Sequence, residues 1–133
     1  MSEENVELAR EVFEAVRRQD LPRLIDLTHP EVEWHSFFVL GEDGGVYRGH
    51  SGIGRYVENI KDAWEVVYPE IEDTVGVGAV VVLVGQIHYR GRGSGVETET
   101  PAGWMLRFRD GKVVRFRAFQ QPELALEAAG LSE

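Results

Sequence analysis

Residues 97–121 read ETETPAGWMLRFRDGKVVRFRAFQQ, the pattern of two long strands joined by a two-residue turn. Asp110-Gly111 is the turn, because a tight hairpin needs positive φ and Asp-Gly accepts it. Before the turn, Thr98, Thr100, Ala102, Trp104, Leu106 and Phe108 alternate with Glu99, Met105, Arg107 and Arg109. After it, Val114, Phe116, Ala118 and Gln120 oppose Val113, Arg115, Arg117 and Phe119. Each arm is about ten residues, long for a globular strand. Arms of that length predict a strongly bent sheet with the rest of the chain packed onto it.

The remainder of the chain supplies what such a sheet would carry. Val6, Ala9, Phe13 and Val16 recur at helical spacing, so residues 3–18 are predicted as an amphipathic helix with Ser2 as its cap. Asp20 caps a second, shorter helix with Pro22 in its first turn; His29-Pro30 is expected to end it. Residues 31–37 alternate as a first strand, and residues 41–45 read as a loop. A third helix follows, striped by Ile53, Tyr56, Val57, Ile60, Trp64 and Val67 and closed by Pro69. Residues 70–77 and 79–90 read as further strands. The second of these is apolar on both faces, which predicts helices on one side and a partner subunit on the other. A short helix from Pro122 to Gly130 closes the order α-α-β-α-β-β-β-β-α. Helices early and strands late give an α+β domain with a mixed, mostly antiparallel sheet.

The 133 residues are 43% hydrophobic, enough for the core of one domain spanning the chain. There is no cysteine, hence no disulfide, thiol nucleophile or thiolate metal site. The longest apolar run, residues 79–84, is far short of a bilayer span. With an acidic, amphipathic N-terminus, the expectation is a cytoplasmic protein without a membrane partner. A net charge of −9 argues against nucleic acid. Yet seven of the fourteen cations lie between Arg90 and Arg117. Pairing with Glu97 and Glu99, or cover by a second subunit, is the ordinary explanation; an anionic ligand near the hairpin is the other.

Taken together, HPEVEW (29–34), YRGHSGI (47–53), RGRGSGVETE (90–99), RFRDGKVVRFRAF (107–119) and ELALEAAGL (123–131) resemble the SnoaL-like branch of the nuclear transport factor 2-like (NTF2-like) and ketosteroid isomerase-like superfamily. The resemblance implies a conical barrel, a curved sheet wrapping a pocket closed by helices. It implies homodimers through the sheet, and a small apolar or polycyclic ligand. Polyketide cyclases, isomerases, epoxide hydrolases and dehydratases share this fold, as do proteins without known activity, so fold alone does not settle function. Several of the groups those enzymes use have no counterpart here. The cyclase Asp position is matched by Gln121, which cannot exchange a proton near neutrality. No His follows His88, and the first helix carries Phe13 where the isomerases have Tyr.

Two readings follow. In one, the protein is a cofactor-independent isomerase, cyclase or lyase, with His35 or His88 moving the proton. In the other, it binds a ligand without catalysis. Trp34, Tyr47, Tyr56, Trp64 and Trp104 are expected to line the pocket, with Gln86 and Gln121 as polar anchors. His29 and His50 read as structural. The register of the first strand is open: a shift of one residue turns Trp34 inward and His35 outward. No HxH or HExxH spacing occurs, and no metal or cofactor is expected. RGRGSG at 90–95 joins two strands rather than leading into a helix, which excludes a phosphate loop.

Overall fold

The computed structural model describes residues 2–37 and 44–130, without the Ser2 side chain. The expected Ser2 cap and the first three positions of the 41–45 loop therefore lie outside the described residues.

The hairpin forms as its sequence requires. Strands β5 (Glu97–Arg109) and β6 (Lys112–Phe119) meet at the Arg109–Lys112 pair. Asp110 and Gly111 both hold positive φ, 55° and 74°, the backbone of a type I′ turn. The ladder slips near the turn. Arg107 pairs with Arg115 but Phe108 pairs with Val113, leaving Val114 as the extra residue of a bulge. Val113, expected on the arginine face, is thereby turned into the core beside Phe108.

Helices α1 (Ser2–Arg18) and α2 (Leu21–Leu27) precede strand β1 (Thr28–His35). The Asp20 carboxylate accepts from the Arg23 N–H at the start of α2, as a cap should. Strand β2 (Val46–Arg48), helix α3 (Gly49–Ala63), β3 (Trp64–Val77) and β4 (Val80–Gly91) lead into the hairpin, and α4 (Pro122–Ala128) follows it. Among the described residues, six strands run β2-β1-β6-β5-β4-β3, with only β1 and β6 parallel. The sheet is not closed: β2 and β3 are its edges.

Three boundaries differ from the sequence reading. The third helix stops at Ala63, and Trp64 to Pro69 belong to β3, paired with Ile87 to Gly91. Val66, Val67 and Tyr68 are β-branched or aromatic, and long-range pairing outweighs a helical spacing carried by only two further residues. Pro69 is tolerated because β3 is an edge. The first strand begins at Thr28, directly after α2, so His29-Pro30 lies inside it. Strand β2 was not expected, since three residues are too few to display a period.

The two faces of the sheet carry different cover. Phe13, Val32, Trp34, Ile53, Ile60, Leu83, Trp104 and Leu106 build the main core between the concave face and α1 and α3. On the convex face, Val82, Met105 and Phe119 pack against Ala125 of α4. The C-terminal helix thus covers the apolar outer side of β4 at Val82. Gly103 makes this possible, because a Cβ there would lie 2.8 Å from the Ala125 Cβ and 2.9 Å from the Pro122 Cα.

Candidate functional site

The concave side of the sheet leaves a cleft under the helices. Phe13 and Val16 of α1 and Tyr56 and Ile60 of α3 form its roof. Val67, Tyr68, Pro69, Ile87, Trp104, Phe116 and Ala118 form the floor and sides, and Ser36 stands where β1 ends. The cleft measures about 380 Å³ with its open mouth, but only about 20 Å³ is enclosed space open to a water's centre, room for one molecule. Apart from the hydroxyls of Ser36, Tyr56 and Tyr68 and the Trp104 indole N–H, the lining is hydrocarbon.

A stack of rings fixes its inner wall. Trp34 is fully buried and lies flat on Phe116, ring centroids 3.7 Å apart and 5° from parallel. Tyr56 tilts against Trp34 at 5.1 Å, and Tyr47 meets Tyr56 edge-on at 5.4 Å. The Asn59 Nδ2 donates to the Tyr47 hydroxyl at 2.9 Å. Phe13 stands edge-to-face on Trp104 at 5.1 Å. Burial pushes the Tyr56 phenol well above its usual range, partly offset by the Trp34 indole N–H. That N–H is itself buried and falls short of a well-formed hydrogen bond. Tyr56 therefore stays neutral through any physiological pH and acts as a hydroxyl, not a base.

Both strand histidines stand outside this cleft. The inward set on β1 is Val32 and Trp34, so His35 faces the convex side, where its Nε2 contacts the Glu33 carboxylate at 2.9 Å. The His35 bond is the main cause holding the Glu33 carboxyl below its ordinary range; burial opposes it, and His35, Arg115 and Arg48 add electrostatic pull in that order. His88 lies in a shallow groove with Tyr68, Glu97 and Glu99. Its Nε2 is 2.7 Å from Glu70 and its Nδ1 3.2 Å from Glu99, so both ring nitrogens face carboxylates. The ring stacks on Tyr68 at 4.7 Å, and the Arg17 guanidinium lies 4.5 Å from the same Tyr68 ring. The two imidazoles do not converge on one pocket, because even-numbered β1 residues and odd-numbered β4 residues are the ones that turn inward.

Of the residues expected to line a pocket, Tyr56 and Trp104 do so directly. Trp34 and Tyr47 stand behind them as supports. Trp64 packs edge-on against Tyr89, Gln86 is on the convex face paired with Glu70, and exposed Gln121 precedes α4. Ser36 and Tyr68 were missed, the first beyond an expected polar anchor's usual pattern, the second hidden in a stretch read as helix. Phe13, Ile60 and Phe116 were visible as stripe residues but carried no mark separating cleft from core. His29 Nδ1 accepts from the Glu31 N–H, and His50 Nε2 contacts the Thr28 carbonyl, structural roles for both. Among the described residues, no group of three His, Cys, Asp or Glu could hold a metal, and no helix is long and apolar enough to cross a membrane.

A family profile described as "SnoaL-like domain" matches residues 9–116. The fold is similar to that of an NTF2-like protein of unknown function from Burkholderia pseudomallei (20% identity, 93% of this chain and 95% of that one, TM-score 0.77). An NTF2-like protein from Burkholderia xenovorans is similar at 25% identity over 97% of both chains, TM-score 0.75. TerC, crystallised with polyporic acid, is similar at 21% identity over 94% of this chain and 96% of that one, TM-score 0.76. No curated protein matches the sequence.

Proposed function

The chain belongs to the SnoaL-like domain family, and we propose that it binds one small, flat, largely apolar molecule at the open mouth of the cleft under α1 and α3. The observation that carries this reading is the lining itself: aromatic and aliphatic walls, a few neutral polar groups, and no carboxylate or imidazole among the described lining residues. Such a lining orients a ligand oxygen but has no group that exchanges protons near neutrality. Co-crystallisation of TerC with polyporic acid supports a small-molecule ligand on this fold.

Polyporic acid is the first probe, titrated by calorimetry and by tryptophan fluorescence. Binding at the cleft makes Tyr56→Phe about 3- to 10-fold weaker, the worth of one neutral hydrogen bond. His35→Gln/His88→Gln leaves affinity unchanged. Failure of this compound and of a panel of flat aromatic acids and ketones to perturb the cleft tryptophan would overturn the reading.

A catalytic reading has one specific support. A carboxylate orients the His35 imidazole at 2.9 Å, and the next residue, Ser36, lines the cleft. As an isomerase, cyclase or lyase, the protein would need His35 to turn toward the Ser36 end of the cleft for proton transfer, since His88, Tyr47 and Gln121 stand away from it. Turnover of a bound compound that disappears in the double Gln variant, while affinity persists, is the result that favours it.

A further inference from the structure

The sheet's convex face carries a second candidate site, separate from the cleft. Reading across the strands, one row of paired positions runs Arg48, Glu33, Arg115 and Arg107. The adjacent row holds His35, Arg117 and Met105. All four arginines are exposed. The other cations of the region are accounted for: Arg90 pairs with Glu65 and Glu97, Arg109 with Glu31, and Arg92 and Lys112 donate to the carbonyls of Lys61 and Asp26. Among the described residues, none of Arg48, Arg107, Arg115 or Arg117 forms an ion pair. Glu33 is the single carboxylate in the row, and it is bonded to His35. Glu123 and Glu127 of α4 share the face without an ion pair to any of them.

Arg107 and Arg115 stand directly opposite each other across an antiparallel pair, where like charges destabilise a sheet. Arg117 is two residues from Arg115 on the same strand face, its guanidinium 4.8 Å from the Phe119 ring. Neighbouring strands are about 4.8 Å apart and alternate residues about 7 Å. Three arginines are thus neighbours on one exposed patch of the sheet, in a protein whose net charge is −9. That arrangement repels itself when empty and suits a compact oxyanion held by forked N–H pairs.

We propose that Arg107, Arg115 and Arg117 form a binding site for a dianionic oxyanion of the phosphate type, free or as the ester group of a larger molecule. The test uses the intact protein and measures thermal unfolding in inorganic phosphate against chloride at equal ionic strength, with phenyl phosphate as a second arm. Phosphate is expected to raise the midpoint in a saturable way. Phenyl phosphate acting at lower concentration identifies an ester as the preferred form; equal or weaker action identifies the free ion. Arg107→Gln is expected to be more stable than the natural protein in chloride, because it removes the like-charge pair, and to lose the phosphate response. Arg115→Gln loses the response as well. Equal midpoints in phosphate and chloride overturn the proposal, as does a response retained in the triple Gln variant. So does a response that tracks a change in oligomeric mass by sedimentation, which would assign this face to a second copy of the chain.

Discussion

Trp34 and Phe116 face each other across the parallel β1–β6 pair with their rings stacked at 3.7 Å. This contact ties β1 to β6 across their parallel pairing. It also sets the register of β1, since burying Trp34 obliges His35 to face outward. The stack is the joint between the helical half of the chain and the hairpin that the helices cover.

Phe116→Ala should cost about 3–5 kcal/mol of stability, the range for deleting a buried aromatic ring. Equilibrium urea unfolding measures it. A loss below about 1 kcal/mol would mean that the ring stack is not a structural joint.

Burial of Tyr56 has a consequence at high pH. Its phenol ionises less readily folded than unfolded, so above about pH 10 the unfolded chain carries fewer protons and stability falls as pH rises. Tyr56→Phe should flatten that alkaline loss, seen as a smaller drop in unfolding midpoint between pH 9 and 11 than in the natural protein.

Glu33 acts in the opposite direction. Its carboxyl is held below the ordinary range, so its contribution is present above the unfolded value and is lost as pH falls through the folded one. Glu33→Gln should shallow the acid limb of the stability curve below about pH 4.5. The side chain is partly exposed, and a double-mutant cycle with His35→Gln should give about 1 kcal/mol or less.

Gly103 tests the docking of α4. Gly103→Ala forces a methyl against Pro122 and Ala125 and should speed amide exchange in α4 by tenfold or more while leaving α1 and α3 protected. Gly103→Ala/Ala125→Gly should recover part of that protection, since one of the two close contacts is then relieved.

Gly85→Ala is the harsher substitution. A Cβ at position 85 would sit 2.0 Å from the Glu70 carbonyl oxygen, at the β3 bulge. Backbone cannot yield as a side-chain end can, so the variant should lose over 3 kcal/mol or fail to accumulate folded.

The hairpin was legible because its signal is local. Asp110-Gly111 needs no partner to demand positive φ, and an alternation sustained over ten residues has few other solutions. Asp20 as a helix cap is local in the same way. The helix-to-strand change at Trp64 was not legible: Trp64 and Val67 continue the stripe of α3, and only pairing with residues more than twenty positions away makes them a strand. The Val114 bulge was hidden likewise, since it takes the partner strand to show that two residues oppose one.

The candidate site divides along the same line. Aromatic residues at inward spacing announced a ring-lined interior, and Tyr56 and Trp104 are in it. Strand parity, however, placed His35 and His88 on the convex face, because a one-residue choice of register reverses every side chain. Sequence by itself determined the α+β class, the hairpin and its turn, and that four histidines are the side chains whose ordinary range lies near neutrality. Tertiary structure alone decided which face each strand residue took, how far the rings fill the cleft, and that three arginines from two strands become neighbours without an ion pair among the described residues. Local propensity acts between neighbours along the chain, whereas facing, packing and charge balance arise only when distant segments are brought together.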